Sequence, residues 1–104
     1  MKLRLILTTV GNEPDAEKIA RTLVEEKLAA CVNVVPLTFS VYRWKGKIEK
    51  DPELLLVIKT VPSRYKALEK RIRTLHPYSI PEVLAMPVVE GNPAYLKWLK
   101  ESLR

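Results

Sequence analysis

The chain has 104 residues, enough for one domain spanning 1–104, and its 47% hydrophobic and 29% charged residues without repeats exclude a disordered tract or a solenoid. A net charge of +6 permits attraction to polyanions without demanding it. The single cysteine, Cys31, excludes an intrachain disulfide and points to a reducing compartment.

The amino end, Met1-Lys2-Leu3-Arg4-Leu5-Ile6-Leu7, has three consecutive apolar residues before Thr8-Thr9, too few for a secretory signal or a membrane span. The expected location is the cytoplasm. Leu3 to Thr9 reads as a first strand, closed by Gly11-Asn12. Asn12 is a helix cap, with Pro14 in the first turn and Glu13, Asp15 and Glu17 at the positive helix end. Ala16, Ile19, Ala20, Leu23 and Val24 make one apolar face of a helix ending near Lys27-Leu28. Ala29 to Val35 is a valine-rich strand that Pro36 is expected to stop. Extended structure resumes from Phe39 to Trp44, and Gly46 supplies the positive φ for a reversal into a long hairpin arm.

Beyond the arm lies Leu54-Leu55-Leu56-Val57-Ile58, an unbroken apolar run. Successive strand residues point to opposite faces, so both faces of the sheet holding this run need cover. Val61-Pro62-Ser63 opens a second helix with Tyr65, Leu68, Ile72 and Leu75 on one face, ended at His76 by the following Pro77. Pro81 to Val89 reads as a strand in which Pro87 marks an edge or bulge. Asn92-Pro93 then caps a last helix carrying Tyr95, Leu96, Trp98, Leu99 and Leu103.

This order, βαββαβ plus a C-terminal helix, is α+β and ferredoxin-like: an antiparallel sheet with two helices on one face. The other face is apolar and expected to self-associate. A terminal helix about 10 Å wide covers only part of a four-stranded sheet nearly 20 Å across. The absence of glutamine, with many Lys, Arg and Glu and eight prolines, fits a heat-adapted host.

Ala29-Ala30-Cys31-Val32-Asn33, Tyr42-Arg43-Trp44-Lys45-Gly46-Lys47-Ile48-Glu49, Glu53 through Thr60, His76-Pro77-Tyr78-Ser79-Ile80-Pro81-Glu82 and Tyr95-Leu96-Lys97-Trp98-Leu99 follow one another in order. Together they resemble the CutA divalent-cation tolerance family over almost the whole chain. The resemblance implies a homotrimer shaped like nitrogen-signalling PII trimers, with copper or another divalent cation as cofactor and a part in the response to metal ions. It also implies copper ligands at positions 8, 75 and 76. Here these are Thr8, Leu75 and His76, so only His76 can ligate.

The residues offer further readings of their own. Imidazole suits copper, but one chain brings one histidine, so His76 is either a ligand pooled with other copies or the end of a helix. Cys31 reads as a buried small hydrophobe. Glu49, Asp51 and Glu53 read as surface ion-pair partners of Arg43, Lys45, Lys47 and Lys50. The aromatic residues Tyr42, Trp44, Tyr78, Tyr95 and Trp98 read as core or interface. A cleft between copies would draw on Tyr42, Trp44, Lys59, His76, Tyr78 and Glu82.

No phosphate-cradling loop, nucleophile motif, HExxH or CxxC is present, so an enzyme is not expected. The basic second helix (Arg64, Lys66, Lys70, Arg71, Arg73) lacks the aromatic strand motifs of RNA readers, and no nucleic-acid partner is expected. The alternative to a metal-tolerance trimer is a PII-like signalling or adaptor trimer that holds a small molecule or protein at its seams without metal.

Overall fold

The structure, a computed structural model, describes residues 2–104; Met1, part of the amino end read above, lies outside the described residues. Strand β1 (Leu3–Val10) leads into helix α1 (Glu13–Glu25), and β2 (Cys31–Trp44) and β3 (Lys47–Thr60) form a long hairpin. A single 3-10 turn (Pro62–Arg64) opens α2 (Tyr65–Leu75), followed by β4 (Leu84–Val88) and α3 (Pro93–Glu101). All strand pairs are antiparallel and the sheet order is β2-β3-β1-β4, the arrangement expected from the order of elements.

The helix ends follow local chemistry. Asn12 Oδ1 accepts from Asp15 N at 2.9 Å, satisfying one orphan donor of α1. The helix stops at Glu25, short of the expected Lys27-Leu28, because Lys27 turns left-handed (φ 58°). Leu28 N then bonds Leu23 O and Lys27 N bonds Val24 O, the paired bonds of a Schellman cap. His76 ends α2 in extended geometry (ψ 135°), as Pro77 requires. Asn92 caps α3 by accepting from Ala94 N and Tyr95 N.

Even-numbered residues of β1 and of the second half of β3 face α1 and α2. There Ile6, Val10, Leu56 and Ile58 join Ile19, Leu23, Leu68 and Ile72 in a core closed to solvent. Full burial of each such side chain is worth about 1.5–3 kcal/mol. The odd-numbered residues point the other way, with Leu5, Leu7, Leu55 and Val57 half-buried and, on β2, Val35 and Leu37 exposed; Leu84 and Met86 of β4, paired with Leu7 and Leu5, share that face and are exposed. Helix α3 packs on this second face, but only at its end: Leu99 and Leu103 bury Leu3 against Ala30, Val61 and Val88. The rest of the apolar face lies open.

Two prolines lie inside strands, Pro36 against the expectation that it ends one. Pro36 lies within β2, an edge strand, where a missing N–H removes no ladder bond on the outer side. Pro52 lies in the part of β3 beyond Val10↔Leu54, where β1 has ended and β3 is itself an edge. Strand β4 is shorter than the expected Pro81–Val89, since its pairing with β1 stops at Leu7↔Leu84. The hairpin overhangs β1 by six or seven residues, about 20 Å of unsupported ribbon. This arm accounts for a long axis of 45 Å and a radius of gyration of 14.3 Å, against about 13 Å for a compact chain of this length.

Candidate functional site

A cleft of about 540 Å³ opens where the arm leaves the body of the sheet. It is lined chiefly by Tyr42, Trp44, Glu53, Tyr78, Ile80 and Glu82. A bulge builds it. Leu37 pairs with Glu53 and Ser40 with Asp51, so β2 advances three residues while β3 advances two. The extra residue inverts the alternation of β2. Before the bulge, odd residues such as Val35 and Leu37 occupy the open face; after it, Ser40, Tyr42 and Trp44 do, on the same side as Glu53.

The other wall comes from the segment after α2, and His76 sets it. The buried imidazole (8% exposed) accepts at Nδ1 from Tyr78 N–H at 3.1 Å. Nε2 therefore carries the ring proton and donates to Thr9 O at 2.7 Å. Thr9 lies beyond the last β1–β4 pair, so the ring takes the place that a longer β4 would have filled. The Tyr78 ring packs on the imidazole with centroids 4.6 Å apart, and its phenol donates to Glu53 Oε2 at 2.9 Å. Gly11 lies close by; a Cβ there would sit 3.3 Å from the phenol oxygen.

Both phenols of the cleft are held neutral. The Tyr42 hydroxyl donates to Asp51 Oδ2 at 2.5 Å, and that bond, with nearby carboxylate charge, pushes its pKa up to about 12. Burial, and then the bond to Glu53, raises Tyr78 as well.

The predicted cleft residues Tyr42, Trp44, Tyr78 and Glu82 come together here. Lys59 lies six residues along β3 from Glu53, about 20 Å away, on the open face with its ammonium 5.8 Å from the Tyr95 ring centroid. His76 supports the cleft from behind. Its Nδ1 lone pair is in use and Nε2 carries a proton, so neither is free for a metal in this conformation. Among the described residues no group of three His, Cys, Asp or Glu is placed to hold a metal ion, so one chain alone does not fit such an ion.

Three other expectations change. Among the described residues the ion pairs are Arg21–Glu17, Arg71–Glu26 and Arg73–Glu69, none of them on the arm. Asp51 and Glu53 take phenol partners, and Lys50 sits over the Phe39 ring at 4.3 Å. Cys31 is half-exposed on the open face rather than buried. The five aromatic residues expected in core or interface are all substantially exposed in the single chain, so none belongs to its core. Glu53, expected as a surface ion-pair partner, is largely buried and accepts from Tyr78. Its signal was a charge on the same strand parity as Leu55 and Val57, immediately before the apolar run.

Residues 4–102 match the family described as CutA1 divalent ion tolerance protein. The chain belongs to that family. It is 50% identical over 98 residues to the divalent-cation tolerance protein CutA of Thermus thermophilus, covering 94% of this chain and 95% of that one. To a CutA homologue of Xenopus laevis it is 54% identical over 91 residues, covering 88% of this chain but 60% of that protein. The crystal structure of CutA1 from Oryza sativa superposes with a TM-score of 0.96 at 44% identity, covering 100% of this chain and 95% of that one. The α+β fold read from the order of elements is therefore the fold of solved CutA proteins.

Proposed function

We propose that this chain serves divalent-cation tolerance as a homotrimer, with copper or a related divalent cation contacted by donors pooled from several copies. The observation that carries the assembly is the open sheet face: Val35, Leu37, Leu84 and Met86 stay exposed after α3 has packed. Contiguous apolar surface of this kind is characteristic of interfaces. The arm adds a second reason, because a lone two-stranded ribbon is marginal in water and gains support when laid against a neighbour. Pooling is favoured because each chain brings one histidine, whose ring nitrogens are already engaged.

The role is one of binding rather than catalysis; the Thermus thermophilus relative carries a tolerance name, and none of the relatives described above carries an enzyme name. The free, half-exposed Cys31 favours a reducing, cytoplasmic location. Heat adaptation is proposed from the depletion of amides and the abundance of charge.

Sedimentation velocity at micromolar protein tests the assembly. A single trimeric species is expected, and a folded, unassociated chain would remove the proposal. Copper titrated calorimetrically into the trimer tests the metal. Saturable heat is expected, and heat no different from dilution would remove it.

A second reading, a PII-like trimer that holds a small molecule or protein at its seams without metal, is favoured by the preformed cleft. That reading expects no copper heat and an intact assembly.

A further inference from the structure

The arm leaves the body of the sheet where the ladder is weakest. Beyond Val10↔Leu54 strand β1 no longer supports β3, and the hairpin runs on as two strands. At that point Leu37 pairs with Glu53 and Ser40 with Asp51, and the ladder is interrupted between them at Thr38, Phe39 and Pro52. A bulge bends its strand, and a proline on the facing strand has no N–H to give. Side by side, these two features make a pivot for a lever about 20 Å long. A swing of about 10° at the pivot moves the tip of such a lever by about 3.5 Å.

One side-chain hydrogen bond crosses the pivot. The phenol of Tyr78 donates to Glu53 Oε2 at 2.9 Å, and Glu53 stands next to Leu54 on the arm side. Among the described residues the other polar side-chain contacts of the arm, Tyr42 to Asp51 and Lys50 over Phe39, stay within it. Tyr78 is itself fastened to the body. Its N–H donates to His76 Nδ1 at 3.1 Å, its ring packs on the imidazole at 4.6 Å, and the imidazole donates to Thr9 O at 2.7 Å. Thr9 pairs with Leu55, inside the supported part of the sheet. Gly11 leaves room for the phenol, since a Cβ there would lie 3.3 Å from its oxygen. Bonds to carboxylates are stronger than those between neutral groups, so this one is suited to hold a direction.

We propose that the Tyr78–Glu53 bond is a strut that fixes the angle at which the arm leaves the body, with Tyr78 as the positioning residue. The strut joins the two walls of the cleft, so arm angle and cleft width are set together. It depends neither on a metal nor on the assembly of copies.

The test measures the distance between spin labels by double electron–electron resonance, with Lys18→Cys on α1 and Lys47→Cys at the tip of the arm carrying the labels and Cys31→Ser removing the native thiol. Labelled chains are diluted into unlabelled copies, so that only distances within one chain are read. With Tyr78 and Glu53 intact, one narrow distribution is expected. Tyr78→Phe deletes a single oxygen and keeps the ring on His76, and it is expected to broaden the distribution about twofold or more. Glu53→Ala is expected to do the same, and the double variant no more than either alone, because both remove one bond. Glu53→Gln keeps an acceptor oxygen and is expected to stay near the wild type. Tyr42→Phe, whose bond lies inside the arm, is expected to change nothing in this distance.

A bond that only added stability would lower Tm and leave the distribution as it was. The proposal is overturned if Tyr78→Phe and Glu53→Ala leave the distribution unchanged, since ribbon stiffness or a neighbouring copy then holds the arm. It is overturned too if the two effects add in the double variant, if Tyr42→Phe broadens the distribution as much as Tyr78→Phe, or if the distribution is already broad with Tyr78 and Glu53 intact.

Discussion

Replacing His76 by alanine separates the supporting role of this residue from a direct role in holding metal. The substitution removes two hydrogen bonds, from Tyr78 N–H to Nδ1 and from Nε2–H to Thr9 O, each worth about 0.5–1.5 kcal/mol. It also removes the imidazole–phenol packing at 4.6 Å, worth about 0.5–1.5 kcal/mol more. The expected destabilisation is about 2–4 kcal/mol. For a domain of this size that lowers Tm by roughly 10–25 °C.

Thermal unfolding followed by circular dichroism at fixed protein concentration reads the stability, since association would make Tm concentration-dependent. Copper calorimetry on the same samples reads the metal. The structure expects a large loss of Tm and, for the fraction that stays folded, copper heats per protomer equal to those of the wild type. An unchanged Tm together with lost copper binding would refute the supporting role and make His76 a ligand.

The hairpin turn, the open face and the phenols each carry a further expectation. Gly46→Ala is expected to cost about 1 kcal/mol in urea denaturation, entirely from backbone strain at φ 79°, since an added Cβ meets nothing within 4 Å. An unchanged midpoint would show that the turn relaxes. Leu84→Lys, on the open face, is expected to convert the proposed trimer to monomers in sedimentation velocity, because a lysine there would be buried unpaired in the proposed interface. Retention of the trimer would mean that another surface holds it together. The neutral form of Tyr42 is favoured by the fold, so its bond contributes fully below pH 10 and is lost as pH rises through about 12; Tyr78, raised by burial and its bond to Glu53, behaves in the same direction. Ultraviolet titration is expected to show late-ionising phenols, and Asp51→Asn to bring Tyr42 back towards 10; no change in the titration would disprove the Tyr42–Asp51 bond.

Much of the fold was legible because it rests on interactions close together in the chain. The caps at Asn12 and Asn92, the stop at His76-Pro77, the turn at Gly46 and the apolar spacing of α1 and α2 are each settled within a few residues. The open apolar face was legible too, because Leu54–Ile58 has no polar alternation. Strand ends were not, because a proline is tolerated or excluded according to which neighbour lies beside it. Pro36 and Pro52 survive because the sheet order leaves their nitrogens at an edge.

For the site, the sequence alone determined its ingredients: an aromatic, acid-rich hairpin, a His-Pro-Tyr segment, and a family resemblance joining them. Only the tertiary structure decided their use. One extra residue between Leu37 and Ser40 turns Tyr42 and Trp44 to the side of Glu53, and the end of β4 frees the Thr9 carbonyl for His76. The physical reason is that a side chain's face depends on pairing register and its partners on which strand stops first. Both are set by residues far apart in the chain.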